Sequence, residues 1–324
     1  MLSLQEIRNP VRIEMKAFEK HFQDAMKSRI PLVNIITNYL RRGKGKQIRP
    51  LFVFLSSGLA GGVTDSTYNA ASLIELLHTA SLIHDDVVDE SYERRGFFSI
   101  NALWKSKVAV LLGDYLLAKG LLLSVDKNEY ELLRLVSDAV REMSEGELLQ
   151  IQKSRKLNIT KNEYFEIIRK KTAALIAACT ACGAWSSNQD AQLTEKFRQF
   201  GEKVGMAFQI KDDLFDYQKK GHIGKPTGND IKEKKFTLPL IHALENCSDS
   251  DRKQIIRTIR KHNHDVKKVQ EVIDFSIACK GIEYSIEKMM EFRCDALTIL
   301  SEFPDNEYNN ALRNLVDYVV ERKK

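Results

Sequence analysis

Two acidic pentads carry the strongest chemical potential in this sequence. The first is Asp85-Asp86-Val87-Val88-Asp89, and the second, far downstream, is Asp212-Asp213-Leu214-Phe215-Asp216. On a helix, positions i and i+4 share a face, so Asp85 pairs with Asp89 and Asp212 with Asp216. Each pentad follows apolar sequence, residues 80–84 before the first and 206–210 before the second. Carboxylates beside a buried face are costly unless a cation neutralises them. Hard oxygen donors with room for water suit Mg²⁺ shared between carboxylates and a substrate's phosphates, and Mn²⁺ can stand in for it. One such pentad reads most simply as a solvated helix end. Two in matching apolar settings point to a metal-bridged anion site.

The cations indicate what that metal serves. Arg94 and Arg95 follow the first pentad closely, and Lys46 and Arg49 sit in the glycine-containing loop 41–50. Lys225 and Lys235 flank the loop after the second pentad, while Lys171-Thr172 falls inside a predicted helix over 160–186. Bidentate Arg and point-charge Lys are the side chains that hold diphosphates. Singly, each reads as a surface charge. Together with the pentads they imply two anionic sites, one bridged by metal and one held by side chains alone.

The elements that must position these groups are helices. No proline lies between residues 51 and 225, and that stretch is rich in Leu, Ala, Glu and Lys. Apolar spacing predicts helices over 4–29, 31–42, 50–61, 65–91, 105–124, 128–155, 160–186, 190–218, 236–246, 249–261, 265–300 and 305–322. Asp65 or Ser66 would cap the fourth. Both pentads then lie near helix C-terminal ends, each followed by a polar, basic loop. No strand alternation persists. The expectation is one all-α domain over 1–324, a helical bundle with a central cavity.

Composition bounds the function. The 324 residues are 43% hydrophobic and 29% charged, as in a folded soluble protein with a large core. The net charge of +6 is mild, and no basic stripe with interleaved aromatics argues for nucleic acid. The N-terminal residues lack the apolar core of a signal peptide. The most apolar stretch, 108–125, is interrupted by Asp114 and Lys119, so it reads as a buried helix and not a membrane span. Five cysteines without framework spacing point to a reducing, cytoplasmic compartment. Cys179 and Cys182 form a C-x-x-C, but in an Ala-rich run they read as core thiols.

Residues 75–89 resemble the first aspartate-rich segment of the trans-isoprenyl diphosphate synthase (polyprenyl synthetase) family, and residues 208–216 its second. The motifs run in the family's order from Gly43 to about Leu240. The resemblance implies that Lys46, Arg49, His78 and Arg95 hold isopentenyl diphosphate. Asp85, Asp89 and Asp212 become the main Mg²⁺ ligands, supported by Asp86, Asp213 and Asp216. Arg94, Lys171, Lys225 and Lys235 contact an allylic prenyl diphosphate, and Thr172 and Gln209 face the reacting carbons. His78 also shares the helical face of Asp85. The small Ala80 and Ser81, where large aromatics in this family resemble a plug, imply an open tunnel and a long all-trans product of the quinone side-chain kind. A short farnesyl- or geranylgeranyl-type product is the alternative. A homodimer with at most peripheral membrane contact for product release is also implied. Two residues depart from the pattern: Gln47 stands where Arg is common, and Lys234 where Gly is common.

Three other readings compete. A terpene cyclase would share the fold, but usually has an Asn/Ser/Glu triad in place of the second pentad and lacks the isopentenyl diphosphate cations. A non-catalytic subunit of a two-chain synthase tends to lose motif residues, and this chain keeps both pentads. A purely structural bundle gives no reason for so many carboxylates on apolar helices.

Overall fold

The computed structural model describes residues 2–43, 45–94, 96–217 and 228–322. The predicted helix over 4–29 is broken, because Pro10 lacks the amide proton a helix interior needs. Instead α1 (Leu4–Ile7), capped by Ser3 and Glu6, leads through a 3₁₀ turn (Asn9–Val11) into α2 (Arg12–Met26). Pro31 opens α3 (Pro31–Arg42) at the position where its fixed φ costs nothing. After α4 (Ile48–Ala60) comes α5 (Asp65–Val88), whose cap is Thr64 and not Asp65 or Ser66. The Thr64 amide donates to the Thr67 hydroxyl at 3.0 Å.

A two-residue hairpin follows, β1 (Glu93–Arg94) antiparallel to β2 (Phe97–Phe98), too short to show as sequence alternation. Then come α6 (Ile100–Asp126), α7 (Tyr130–Lys156) and α8 (Lys161–Ile168). A π-turn (Arg169–Ala173) separates α8 from α9 (Ala174–Asn188), which precedes α10 (Ala191–Phe215). The last third holds α11 (Asn229–Lys232), α12 (Leu238–Glu245), α13 (Asp249–His262), α14 (Val266–Ala278), α15 (Gly281–Leu300) and α16 (Glu307–Glu321). The helix predicted over 265–300 is thus two, parted where Lys280 adopts φ 58°.

One contiguous apolar cluster draws on residues from Ile7 to Val320. Its hub is α9, buried on nearly every side and packed against α4, α5, α7 and α10. Small residues make that approach possible: a Cβ on Gly205 of α10 would lie 2.4 Å from the Ala173 Cα. Cys179 and Cys182 are buried in this hub as core thiols, and burial pushes the Cys179 thiol up to about 12. The expectation of a buried α6 fails. This helix is long and apolar enough to cross a membrane, yet only a third of its most apolar window is buried, and Leu111 and Leu122 are more than half exposed. Gly205→Val should cost roughly 1–3 kcal/mol, the usual range for overpacking, because a backbone atom cannot yield as a side chain can. Chemical denaturation measures this, and an unchanged midpoint would contradict the close approach.

Candidate active site

The first pentad closes α5. The helix runs to Val88 with Asp89 as its C-cap, the Asp89 amide donating to the Asp85 carbonyl at 2.8 Å. Asp85 and Asp89 are exposed, whereas Asp86 is buried. The chain then turns into the hairpin, which is pinned from three sides. The Ser99 hydroxyl donates to the Ser91 carbonyl at 2.6 Å, the Ser91 amide to the Asp86 carbonyl at 3.0 Å, and the Tyr39 hydroxyl to the Phe98 carbonyl at 2.8 Å. Arg95 lies outside the described residues, as do Lys225 and the side chain of Arg94.

The second pentad closes α10 in the same way, with Asp216 as C-cap. Its three carboxylates do different work. Asp212 is half-buried and forms an ion pair with Arg322 at 2.5 Å. Asp213 is buried and accepts from the Tyr164 hydroxyl at 2.7 Å and from the Gln209 amide at 2.8 Å. The Thr172 hydroxyl donates to the other end of Gln209 at 2.7 Å, so the two residues expected beside the reacting carbons form one relay into Asp213. Asp216 accepts from the amides of Asn229 at 3.0 Å and Asp230 at 2.9 Å, fastening the returning chain at the start of α11.

The two pentads belong to one electrostatic neighbourhood. Burial works against charge on the Lys235 ammonium, but Glu233, Asp230 and then Asp89 hold it above its usual range. Asp230 in turn feels Asp213 and Asp216. Lys235 thus feels the charge of Asp89 in the first pentad and of Asp230, which is fastened to Asp216 in the second. Burial pushes Asp213 up to about 7, with Asp212 adding to the rise and the hydrogen bonds from Tyr164 and Gln209 opposing it. Burial followed by repulsion from Asp213 and Asp216 pushes Asp230 up to about 8.

The basic side converges on a cavity of about 760 Å³. Lys46, Arg49, His78, Asp86, Thr172, Phe208 and Arg322 line it, and Phe22, Met26, Leu40 and Ile83 make its apolar end. Lys46 sits just before α4, whose N-cap Gln47 takes a left-handed conformation. Its carbonyl accepts from the Arg8 guanidinium, and its ammonium lies 5.6 Å from the Tyr318 ring centre. Lys171 turns toward α7 instead, donating to Gln150 at 3.1 Å and pairing with Glu147, though its charge still reaches Asp213. Ala80 and Ser81 do not line the cavity; their neighbours Thr79 and Leu82 do. Ala80 is buried in a cluster with Leu76, Ile83, Leu112 and Leu116, between α5 and α6.

Among the described residues, no three acidic, His or Cys side chains form a ready-made metal cage. The donors nevertheless fit a hard divalent cation. They are all carboxylate oxygens, gathered around Asp213 and Asp230, whose proton affinities burial and then neighbouring carboxylates raise, and incomplete without oxygens from a ligand. Sequence reading missed Asp230, Tyr164, Arg8 and Arg322. Of these only Asp230 had a local signal, as the first acid after the second pentad.

Comparison with known proteins agrees with this geometry. A family model described as Polyprenyl synthetase matches residues 30–276. Octaprenyl diphosphate synthase of Escherichia coli is 31% identical, covering 100% of both chains. A solved polyprenyl synthase from Caulobacter crescentus, complexed with calcium and isoprenyl diphosphate, superposes with a TM-score of 0.90 at 32% identity, over 99% of this chain and 98% of that one. A geranylgeranyl pyrophosphate synthase from Bacteroides thetaiotaomicron gives 0.83 at 38% identity, over 98% of each.

Metal-free protein should lose stability as pH rises from about 4, where unfolded carboxylates release their protons. The folded Asp213 and Asp230 keep theirs up to about 7 and 8, so the loss levels off only above that range. Thermal melts in chelator measure the slope, and Asp230→Asn should make it shallower; an identical slope would contradict the burial of this carboxyl. With acidic clusters closing both α5 and α10, cations gathered at one cavity and these likenesses over the whole length, the chain belongs to the polyprenyl synthetase family, the trans-prenyltransferases that elongate an allylic prenyl diphosphate with isopentenyl diphosphate.

Proposed function

We propose that this enzyme uses Mg²⁺ and makes a long all-trans polyprenyl diphosphate. The observation that carries the site assignment is one cavity lined by Asp86 of the first pentad, by Arg322, which pairs with Asp212 of the second, and by Lys46, Arg49 and His78. Asp85, Asp89 and Asp212 would hold the metal, and Mn²⁺ would fit the same oxygens. When bound, the cation neutralises charge on the departing diphosphate as the allylic C–O bond breaks. Asp86, Asp213 and Asp216 support the ligands: Asp213 through Tyr164 and Gln209, and Asp216 by anchoring α11.

The protein's own groups do the rest. Lys235, together with Arg94 and Lys225, holds the allylic diphosphate, joined by Lys171 once it leaves Gln150 and Glu147, while Lys46, Arg49, His78 and Arg95 hold isopentenyl diphosphate. The oxygen dipoles of Thr172 and Gln209 face the allylic carbocation. Phe52, Ile176 and Phe208 line the cavity there and exclude the water that would quench it. The isopentenyl π-bond attacks the cation, and the C2 proton leaves to the released diphosphate. No side-chain nucleophile is required.

The long product rests on likeness to the octaprenyl enzyme, since the small Ala80 and Ser81 lie off the wall of this cavity. The geranylgeranyl enzyme at 38% identity favours a shorter product as the second reading. The exposed apolar face of α6, with Leu111 and Leu122, supports a homodimer that covers it. Five unpaired cysteines support a cytoplasmic location.

Chelation should abolish incorporation of labelled isopentenyl diphosphate by the purified chain, and Mg²⁺ should restore it. Asp85→Asn and Asp212→Asn should each lower kcat by roughly 100-fold or more, as loss of transition-state charge stabilisation does elsewhere. Full turnover in chelator, or a cyclic hydrocarbon from the allylic substrate alone, would overturn the reading. Ser81→Phe should shorten the product seen by mass spectrometry; an unchanged length would remove Ser81 from chain-length control.

A further inference from the structure

Arg322 follows α16 and reaches back into the site. Its side chain is only 12% exposed, against 39% for its partner Asp212, and the two meet at 2.5 Å. The guanidinium lies 4.0 Å from the Phe208 ring centre and 5.6 Å from that of Phe215. It also lines the cavity with Lys46, Arg49 and Thr172. Its Nε is buried and makes no hydrogen bond. A guanidinium held by one carboxylate and two aromatic faces, with a donor left unsatisfied, is retained mainly by charge. Burial and the positive field of Arg322 both lower the proton affinity of neighbouring Lys211.

We propose that Arg322 is the resident counter-ion of Asp212 and competes with the divalent cation for that carboxylate. This rests on the assignment of Asp212 as a metal ligand. The guanidinium occupies a lone pair of Asp212 Oδ1 and draws its negative charge, and a cation bound to this carboxylate would repel it. Metal entry therefore releases Arg322, and with it the last turn of α16 loses its tie to α10. Because the coupling is reciprocal, whatever strengthens the Arg322 contact weakens metal binding by the same factor. The free enzyme then keeps its acidic site neutralised, and metal enters chiefly with the diphosphate that supplies further oxygens.

The test uses the full chain with inorganic pyrophosphate and reads Mn²⁺ affinity by electron paramagnetic resonance. Arg322→Gln should bind Mn²⁺ about fivefold more tightly than the wild type, the amount withheld by a modest ion pair. Arg322→Lys should fall between them, and Asp212→Asn should bind more weakly than wild type. Unchanged or weaker binding by Arg322→Gln, with Asp212→Asn still impaired, would show that Arg322 merely fastens α16 and would overturn the proposal alone. Unimpaired binding by Asp212→Asn would remove both the metal assignment and the proposal. Hydrogen exchange of the wild type gives an independent reading: amides 316–322 should exchange faster once Mn²⁺ and pyrophosphate are added, and unchanged protection contradicts the release.

Discussion

The arrangement depends on carboxylates kept close together where water is scarce. Asp213 is 7% exposed, and burial first, then the charges of Asp213 and Asp216, raise the proton affinity of Asp230. A protein tolerates such crowding only where positive charge or protons compensate it. In the free chain the compensation comes from Lys235, whose ammonium feels Asp230 and Asp89, and from Arg322 on Asp212, while burial raises the proton affinities of Asp213 and Asp230. In the working enzyme it comes from divalent metal and the cations that hold diphosphates. The same electrostatic demand that destabilises the empty site draws the substrate's counter-ions into it.

The helices are placed to sustain this demand. α9, rich in small residues, lets α4, α7 and α10 approach closely, and this sets the end of α10 beside the cavity. The π-turn before α9 presents Thr172 to Gln209, as irregular helix turns often do at functional sites. At the opposite wall, Arg8 and Tyr318 hold Lys46 from elements near the two ends of the chain. The loop that carries Lys46 is thus supported by segments remote in sequence.

Much of this was legible because its signals are local. The twin pentads, their apolar preludes and the proline-free middle announced helices ending in carboxylate clusters, and α5 and α10 end at Val88 and Phe215. What escaped reading depends on distance. The capping of α11 by Asp216 requires knowing that residues 229 and 230 fold back onto it, and Arg322 meets Asp212 across more than a hundred residues. The departure of Ala80 and Ser81 from the cavity wall is a matter of which way α5 is rotated, which a pattern of apolar spacing does not resolve. α6 misled for another reason: an apolar helix face looks the same whether its own chain or a second surface covers it.

The central claim is that both pentads grasp one diphosphate through shared divalent ions. It is tested most directly by anomalous diffraction from crystals grown with Mn²⁺ and a non-reactive allylic diphosphate analogue. The account predicts anomalous peaks at about 2.0–2.3 Å from oxygens of Asp85, Asp89 and Asp212, with the analogue's diphosphate bridging them. Peaks confined to one pentad, or a diphosphate bound without metal contact to either, would contradict it.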